Sequence, residues 1–169
     1  MSVAERPQGP RAHPTNPHGM EYTVRRAERT DIAGIRRATA NAWREGYREI
    51  LGEETVAGDT RPVSETYPAD RLDRKLADER LRYLVGDYRG DVMGTTTCNW
   101  GPDNTHAFVP DGDLQLRAVY VDPAYWRQGV ATRLIETGLA ELPTDPDRVW
   151  VEVLADNDAG IGLYRSLGF

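Results

Sequence analysis

Apolar residues recur at helical spacing through Ile32, Ile35, Ala38, Ala42 and Trp43, and Thr30 or Asp31 stands where a helix cap belongs. Just before them, Tyr22-Thr-Val-Arg25 alternates like a short strand. Gly46 and Gly52 loosen or end the helix, and Glu53 to Thr66 is polar loop with Gly58 and Pro62. Pro68-Ala-Asp70 opens a second helix carrying Leu72, Leu76 and Leu81 on one face. Arg82 to Val85 and Asp91 to Trp100 have strand character around a turn over Asp87 to Asp91, which predicts a hairpin. After a loop over Gly101 to Gly112, Asp113 to Val121 alternates clearly. Leu114, Leu116, Ala118 and Tyr120 are expected on one face, and Gln115, Arg117, Val119 and Val121 on the other. Val130 to Leu142 is predicted helix, Pro143 to Asp147 turn, Arg148 to Leu154 strand, and Asn157 to Leu167 a last helix. A strand–helix–strand crossover of this length predicts parallel neighbours.

Composition narrows the class. A length of 169 residues suits one domain, and 39% hydrophobic with 28% charged residues suits a globular protein. No apolar run reaches the ~18 residues that a membrane helix needs. Residues 1–20 hold Pro7, Pro10, Pro14 and Pro17 and almost no large apolar side chain, and they lack the apolar block of a signal peptide. They are expected to form a disordered tail, leaving 21–169 as the folded domain, with a cytoplasmic location and no membrane partner. A formal charge of −6 argues against nucleic acid as a partner. Cys98 is the only cysteine, so neither an intrachain disulfide nor a cysteine zinc site is available. His13, His18 and His106 lie in the tail or polar loops without metal-ligand spacing, and no metal is expected.

The candidate chemistry sits in Val119-Tyr-Val-Asp-Pro-Ala-Tyr-Trp-Arg-Gln-Gly-Val-Ala131. A strand stops, a short loop turns, and Gly129 starts a helix. The free N–H groups and the dipole at a helix start suit an anion such as a pyrophosphate. Taken with Asn157…Leu163-Tyr-Arg-Ser-Leu-Gly-Phe169, this block resembles the two acetyl-CoA motifs of the GNAT superfamily of N-acyltransferases, in order and in spacing. The resemblance covers roughly Tyr22 to Phe169.

The resemblance implies a mixed α/β fold, with a central, largely antiparallel sheet flanked by helices, and acetyl-CoA as co-substrate. It assigns the pantetheine arm to the backbone of Val119, Tyr120 and Val121. The pyrophosphate goes to Arg127, Gln128, Gly129, Val130, Ala131 and Thr132, and a further cofactor contact to Asn157. Tyr164 is implied as the acid that protonates the departing thiolate. An amine acceptor then needs a base, because an alkylamine of pKa ~10.4 is almost wholly protonated at neutral pH. Gln115 stands where many relatives carry a glutamate and cannot serve, which leaves Asp113 and Glu152; Glu152 is the preferred candidate.

The chain departs from the family pattern in places. Trp126 occupies the first position of the Gln/Arg-x-x-Gly-x-Gly/Ala signature, so a cation must come from Arg127 or Arg133. Gly160 and Gly162 fall inside the last predicted helix. The family's last strand is missing after Phe169, which suggests a truncated domain with an open sheet edge beside Arg148 to Leu154. Such an edge favours self-association, with a homodimer as the expected form. Two rivals remain: an acyl-CoA-binding domain that senses or scaffolds without catalysis, and a nucleotide-binding domain, which lacks the Walker and Gly-x-Gly-x-x-Gly spacings. The acceptor is open among small amines, peptide N-termini and lysine side chains, with the loops Gly52 to Tyr67 and Gly101 to Gly112 expected on its side of the cleft.

Overall fold

The computed structural model describes residues 2–7, 20–51, 68–142 and 146–169. The expected loop over 52–67 and residues 8–19 of the expected tail lie outside them. In chain order the elements are β1 (Ser2–Pro7), β2 (Thr23–Arg26), α1 (Ile32–Gly46), α2 (Arg48–Leu51), α3 (Ala69–Ala77), β3 (Leu81–Tyr88), β4 (Asp91–Trp100), β5 (Leu114–Val121), α4 (Val130–Ala140), β6 (Arg148–Val153) and α5 (Asp158–Ser166). The described strands form one sheet in the order β1-β6-β5-β4-β3-β2. β2 to β5 are antiparallel neighbours, and β6 joins β5 in parallel after the α4 crossover. The fold is mixed α/β with a largely antiparallel sheet, as the sequence implied.

The hairpin turn is tighter than Asp87 to Asp91. Arg89 and Gly90 both take positive φ, 54° and 88°, the two-residue geometry that matches strand twist. Asp87 Oδ1 accepts from the Gly90 N–H at 2.7 Å and closes it.

Two expectations are corrected. Ser2–Pro7, assigned above to a disordered tail, is a strand that pairs antiparallel along β6, with Ser2 opposite Val153 and Pro7 opposite Arg148. Main-chain hydrogen bonding needs no apolar periodicity, which is why the segment gave no strand signal. The edge of β6 that was expected to lie open is therefore covered, and the physical ground given for self-association there is absent.

The second correction concerns β5. Thr97 pairs with Ala118 and Cys98 with Leu116, so Arg117 is an extra residue, a β-bulge. The alternation inverts there. Leu116 and Val119 both pack with the cluster around Cys98 and Ile135, and Val121 joins Val130 and Leu134 under α4. A one-residue slip moves every following side chain to the other face, so Val119 and Val121 lie on the α4 side with Leu114 and Leu116, opposite to the simple alternation.

Helices cover both faces. Ile32, Ile35 and Ala38 of α1 and Leu72 of α3 bury against Leu81, Tyr83, Val85 and Val92. The other face receives Val130, Leu134 and Ile135 of α4, with Leu163 and Tyr164 of α5 beside them. Gly34 and Gly138 let the helices press onto the same strand from opposite sides. A Cβ on Gly34 would lie 2.5 Å from Val92 Cγ2, and one on Gly138 would lie 2.8 Å from Cys98 Sγ. Gly138→Val should therefore overpack the α4 interface and cost about 1–3 kcal/mol. Urea unfolding measures this; an unchanged midpoint would mean that α4 can lift off β4 freely.

Candidate functional site

β5 and β6 pair only from Leu114/Val149 to Leu116/Val151. Beyond that point both strands continue, but they part at the bulge. Between them lies a cleft of about 360 Å³, lined by Arg117 to Tyr120 of β5, Glu152 and Val153 of β6, Asn157, Gly160, Leu163 and Tyr164 of the α5 end, and Trp43 and Tyr47 from α1. The β5 residues past the paired stretch therefore line this space instead of continuing the ladder with β6.

The loop leading into α4 is fixed at several points. The Asp122 N–H donates to the Met93 carbonyl at 2.8 Å, and Asp122 Oδ2 accepts from Asn41 Nδ2 at 2.8 Å, which ties the loop to β4 and α1. Trp126, at the odd signature position, donates its indole N–H to the Val121 carbonyl at 2.7 Å and so locks the loop to the strand end. Arg127 and Gly129 are both left-handed, with φ of 61° and 76°. Backbone that alternates hands in this way turns successive N–H groups toward one side, which suits an anion. A Cβ on Gly129 would meet nothing within 4 Å, so the loop surface is open there. Val130 is core, packed under the sheet, whereas Arg127 is exposed and Ala131 and Thr132 are half-buried. Arg133 lies over the Tyr22 ring at 4.9 Å.

Asn157 caps α5, its Oδ1 accepting from the Gly160 N–H at 2.9 Å. A Cβ on Gly160 would come within 2.9 Å of Asn157 Nδ2 and 3.1 Å of Val153 Cγ2. Gly160 is thus the residue that lets the cap sit down on β6, which explains a glycine the helix pattern alone does not. Gly162 meets nothing, and nothing in the structure accounts for it.

The candidate acid and base reach the cleft from different sides of the sheet. Glu152 alternates with Val149 and Val151, so it lies opposite the α4 face, with Trp150. Tyr164 packs on the α4 face and sits edge-on to Phe169 at 5.7 Å. Burial, with a smaller contribution from Tyr47, pushes the Tyr164 phenol up to about 12. Asp113, the other base candidate, is buried and accepts from Trp150 Nε1 at 2.8 Å, away from the cleft lining. Gln115 is buried and accepts the His106 N–H through Oε1 at 2.9 Å.

The sequence profile described as Acetyltransferase (GNAT) family matches residues 41–169. The chain belongs to the GNAT family. It is 31% identical over 106 residues to the N-alpha-acetyltransferase RimI of Mycobacterium tuberculosis, a match spanning 61% of each chain. It is 46% identical over 58 residues to the [ribosomal protein bS18]-alanine N-acetyltransferase of Escherichia coli K12, covering 34% of this chain and 39% of that one. The matches thus span less than two thirds of these relatives' length. Among solved structures, the fold is similar to PaiA N-acetyltransferase from Thermoplasma acidophilum in complex with coenzyme A, at TM-score 0.73 and 15% identity over 89% of this chain and 90% of that one. It is also similar to the ribosomal-protein-S18-alanine N-acetyltransferase of Escherichia coli, at TM-score 0.59 and 23% identity over 88% and 77%.

Three side chains of this GNAT cleft and its rim escaped the sequence reading. Trp43 and Tyr47 come from the end of α1, where Trp43 reads only as an apolar helix position and Tyr47 follows the helix without a signal of its own. His106 places Nδ1 3.0 Å from Glu152 Oε2 across 46 residues of sequence, a proximity that no local pattern could signal. Among the described residues no His/Cys/Asp/Glu cluster suits a metal, and no helix is long and apolar enough to cross a membrane.

The Tyr164 environment has a measurable consequence. The phenol ionises near ~10 in the unfolded chain and at about 12 in the folded one. The unfolded state therefore sheds this proton first, and stability falls as pH rises from the lower value toward the higher. Urea unfolding of the wild type and Tyr164→Phe between pH 8 and 11 should show the wild type losing more stability at the alkaline end. Parallel losses would mean that the phenol is not held in a desolvated site.

Proposed function

We propose that this chain is an N-acetyltransferase that carries an acetyl group from acetyl-CoA to the α-amine of a polypeptide N-terminus. The observation that carries this reading is the fork between β5 and β6, with a carboxylate on one lip, a buried phenol on the other, and an anion-suited loop at the start of α4. Acetyl-CoA would lay its pantetheine arm along Val119, Tyr120 and Val121 and its pyrophosphate on the N–H groups of Arg127 to Thr132, with Arg127 or Arg133 as cation. Asn157 keeps its amide nitrogen for the arm, since its oxygen serves the helix cap.

In this scheme Glu152 accepts the proton of the amine, whose nitrogen attacks the thioester carbonyl carbon. The C–S bond then breaks, and Tyr164 offers its O–H to the departing sulfur. A phenol held at about 12 stays protonated throughout the neutral range. Its proton is less acidic than that of an ordinary thiol by roughly 3.5 units, about 5 kcal/mol, so it serves chiefly as a hydrogen-bond donor to the sulfur. The proton left on Glu152 then makes good the balance through solvent. The products are an amide and the free thiol of CoA.

An α-amine suits a single carboxylate base. Its pKa of about 7.8 lies some 2.5 units below that of lysine, so freeing it costs about 3.5 kcal/mol less. The similarity to an N-alpha-acetyltransferase and to an alanine N-acetyltransferase supports the same acceptor. A binding-only role leaves Glu152 and Tyr164 on one cleft without a task.

The test is thiol release from acetyl-CoA with a peptide bearing a free N-terminus, the same peptide N-terminally blocked but containing lysine, and small amines. Turnover should be greatest with the free N-terminus. Equal rates on the blocked lysine peptide would remove the α-amine assignment. Gly129→Glu places bulk and negative charge at the loop and should abolish acetyl-CoA binding by calorimetry; a folded variant with unchanged affinity would exclude this loop. Tyr164→Phe removes one hydrogen-bond donor to the developing thiolate and should lower turnover roughly 100- to 1000-fold with little change in cofactor affinity.

A further inference from the structure

His106 is outside the cleft lining, yet it holds the residue that the proposed chemistry most needs. It lies in the loop between β4 and β5, and three contacts set its ring. Its backbone N–H is tied to Gln115 Oε1 at 2.9 Å, and Gln115 is itself only 1% exposed on the last paired stretch of β5. Its ring meets Phe108 edge-on at 5.7 Å, and Phe108 in turn meets Trp150 at 6.3 Å. Trp150, two residues before Glu152, is pinned to Asp113 at 2.8 Å. The closed end of the fork is thus a braced frame whose last member is the 3.0 Å contact from His106 Nδ1 to Glu152 Oε2.

We propose that His106 is a positioning residue for Glu152. This rests on the reading of Glu152 as base given above. The Nδ1–H donates to Oε2, selects one rotamer of the carboxylate, and leaves Oε1 for the incoming amine. β6 is paired with β1 at Glu152 but has parted from β5 there, so on the cleft side no strand orients the carboxylate, and small errors of placement at a reacting centre are costly in rate. The imidazole side chain is 37% exposed, so its far edge reaches water without entering the cleft. No bond to His106 forms or breaks, and its protonation state is the same before and after turnover. The pattern also gives Gln115 a task. It cannot be a base, but it anchors the loop that orients one.

Four variants of the full chain, assayed with acetyl-CoA and the free-N-terminus peptide, test this. His106→Phe keeps a ring against Phe108 and removes the donor, and its kcat should fall ~10-fold or more with acetyl-CoA affinity unchanged. His106→Asn restores an N–H donor near the same place and should recover most of that loss. Glu152→Gln should be slow, and His106→Phe/Glu152→Gln should be no slower than Glu152→Gln alone, because the two residues act as one unit. His106→Phe at the wild-type rate, His106→Asn as slow as His106→Phe, or a double variant slowed by the product of the single effects would each overturn the assignment. Glu152→Gln at the wild-type rate would instead overturn the base reading and this inference with it. A normal His106→Phe beside a slow Glu152→Gln would overturn this inference alone. A wild type that turns over no amine would remove the proposed activity and this role together.

Discussion

Pairing between β5 and β6 ends at Leu116 and Val151, next to the point where Arg117 adds one residue to β5 without a counterpart on β4. A bulge bends its strand and sharpens the local twist, and everything at the site follows from that bend. It separates two strands that would otherwise close on each other and leaves Arg117 to Tyr120 lining the space between them. It also opens a passage through the sheet, so that Glu152 from one face and Tyr164 from the other line one cleft. A sheet paired to its end would keep those two side chains on opposite sides of a continuous layer.

The rest of the architecture holds that bend in place. Gly34 and Gly138 allow α1 and α4 to grip β4, the strand against which the bulge is registered. Arg25 bridges Asp31 and Asp87 at 2.7 and 2.6 Å, tying the start of α1 to β3. The guanidinium beside it holds the Asp31 carboxyl below the usual carboxylate range. Asn41 and Asp122 then connect the far part of α1 to the loop before α4. The cleft is framed chiefly by β5, β6 and the ends of α1 and α5, with Tyr47, Leu154 and Asn157 lining it just outside those elements.

Much of this was legible in the sequence, because the elements have strong periods and the helix starts have recognisable chemistry. The strands β3 to β6, the helices α1, α3, α4 and α5 and the Gly129 helix start were all readable from local pattern, whereas the capping role of Asn157 was not. What was not legible had no local signature. The bulge at Arg117 hides inside a clean alternation, and only pairing with β4 reveals it. β1 is short, polar and proline-flanked, and becomes a strand solely because β6 offers it main-chain partners. The His106–Glu152 contact joins a polar loop to a strand across 46 residues of sequence. Gly160, which looked like a defect in a helix, is explained once the side chain of Asn157 is seen folded over it.

The pairing of β1 with β6 also bears on how the molecule comes together. Ser2–Pro7 leaves the ribosome well before Arg148–Val153, its strand partner among the described residues. At ~5–20 residues per second of synthesis, the segment waits on the order of ten seconds or more for the strand that will order it. Closing so long a loop carries a large entropic cost, and the contact rewards it only after the intervening domain has condensed. β1 is therefore a late addition to a sheet already built from β2 to β5, and its docking completes the flank of the strand that bears Glu152.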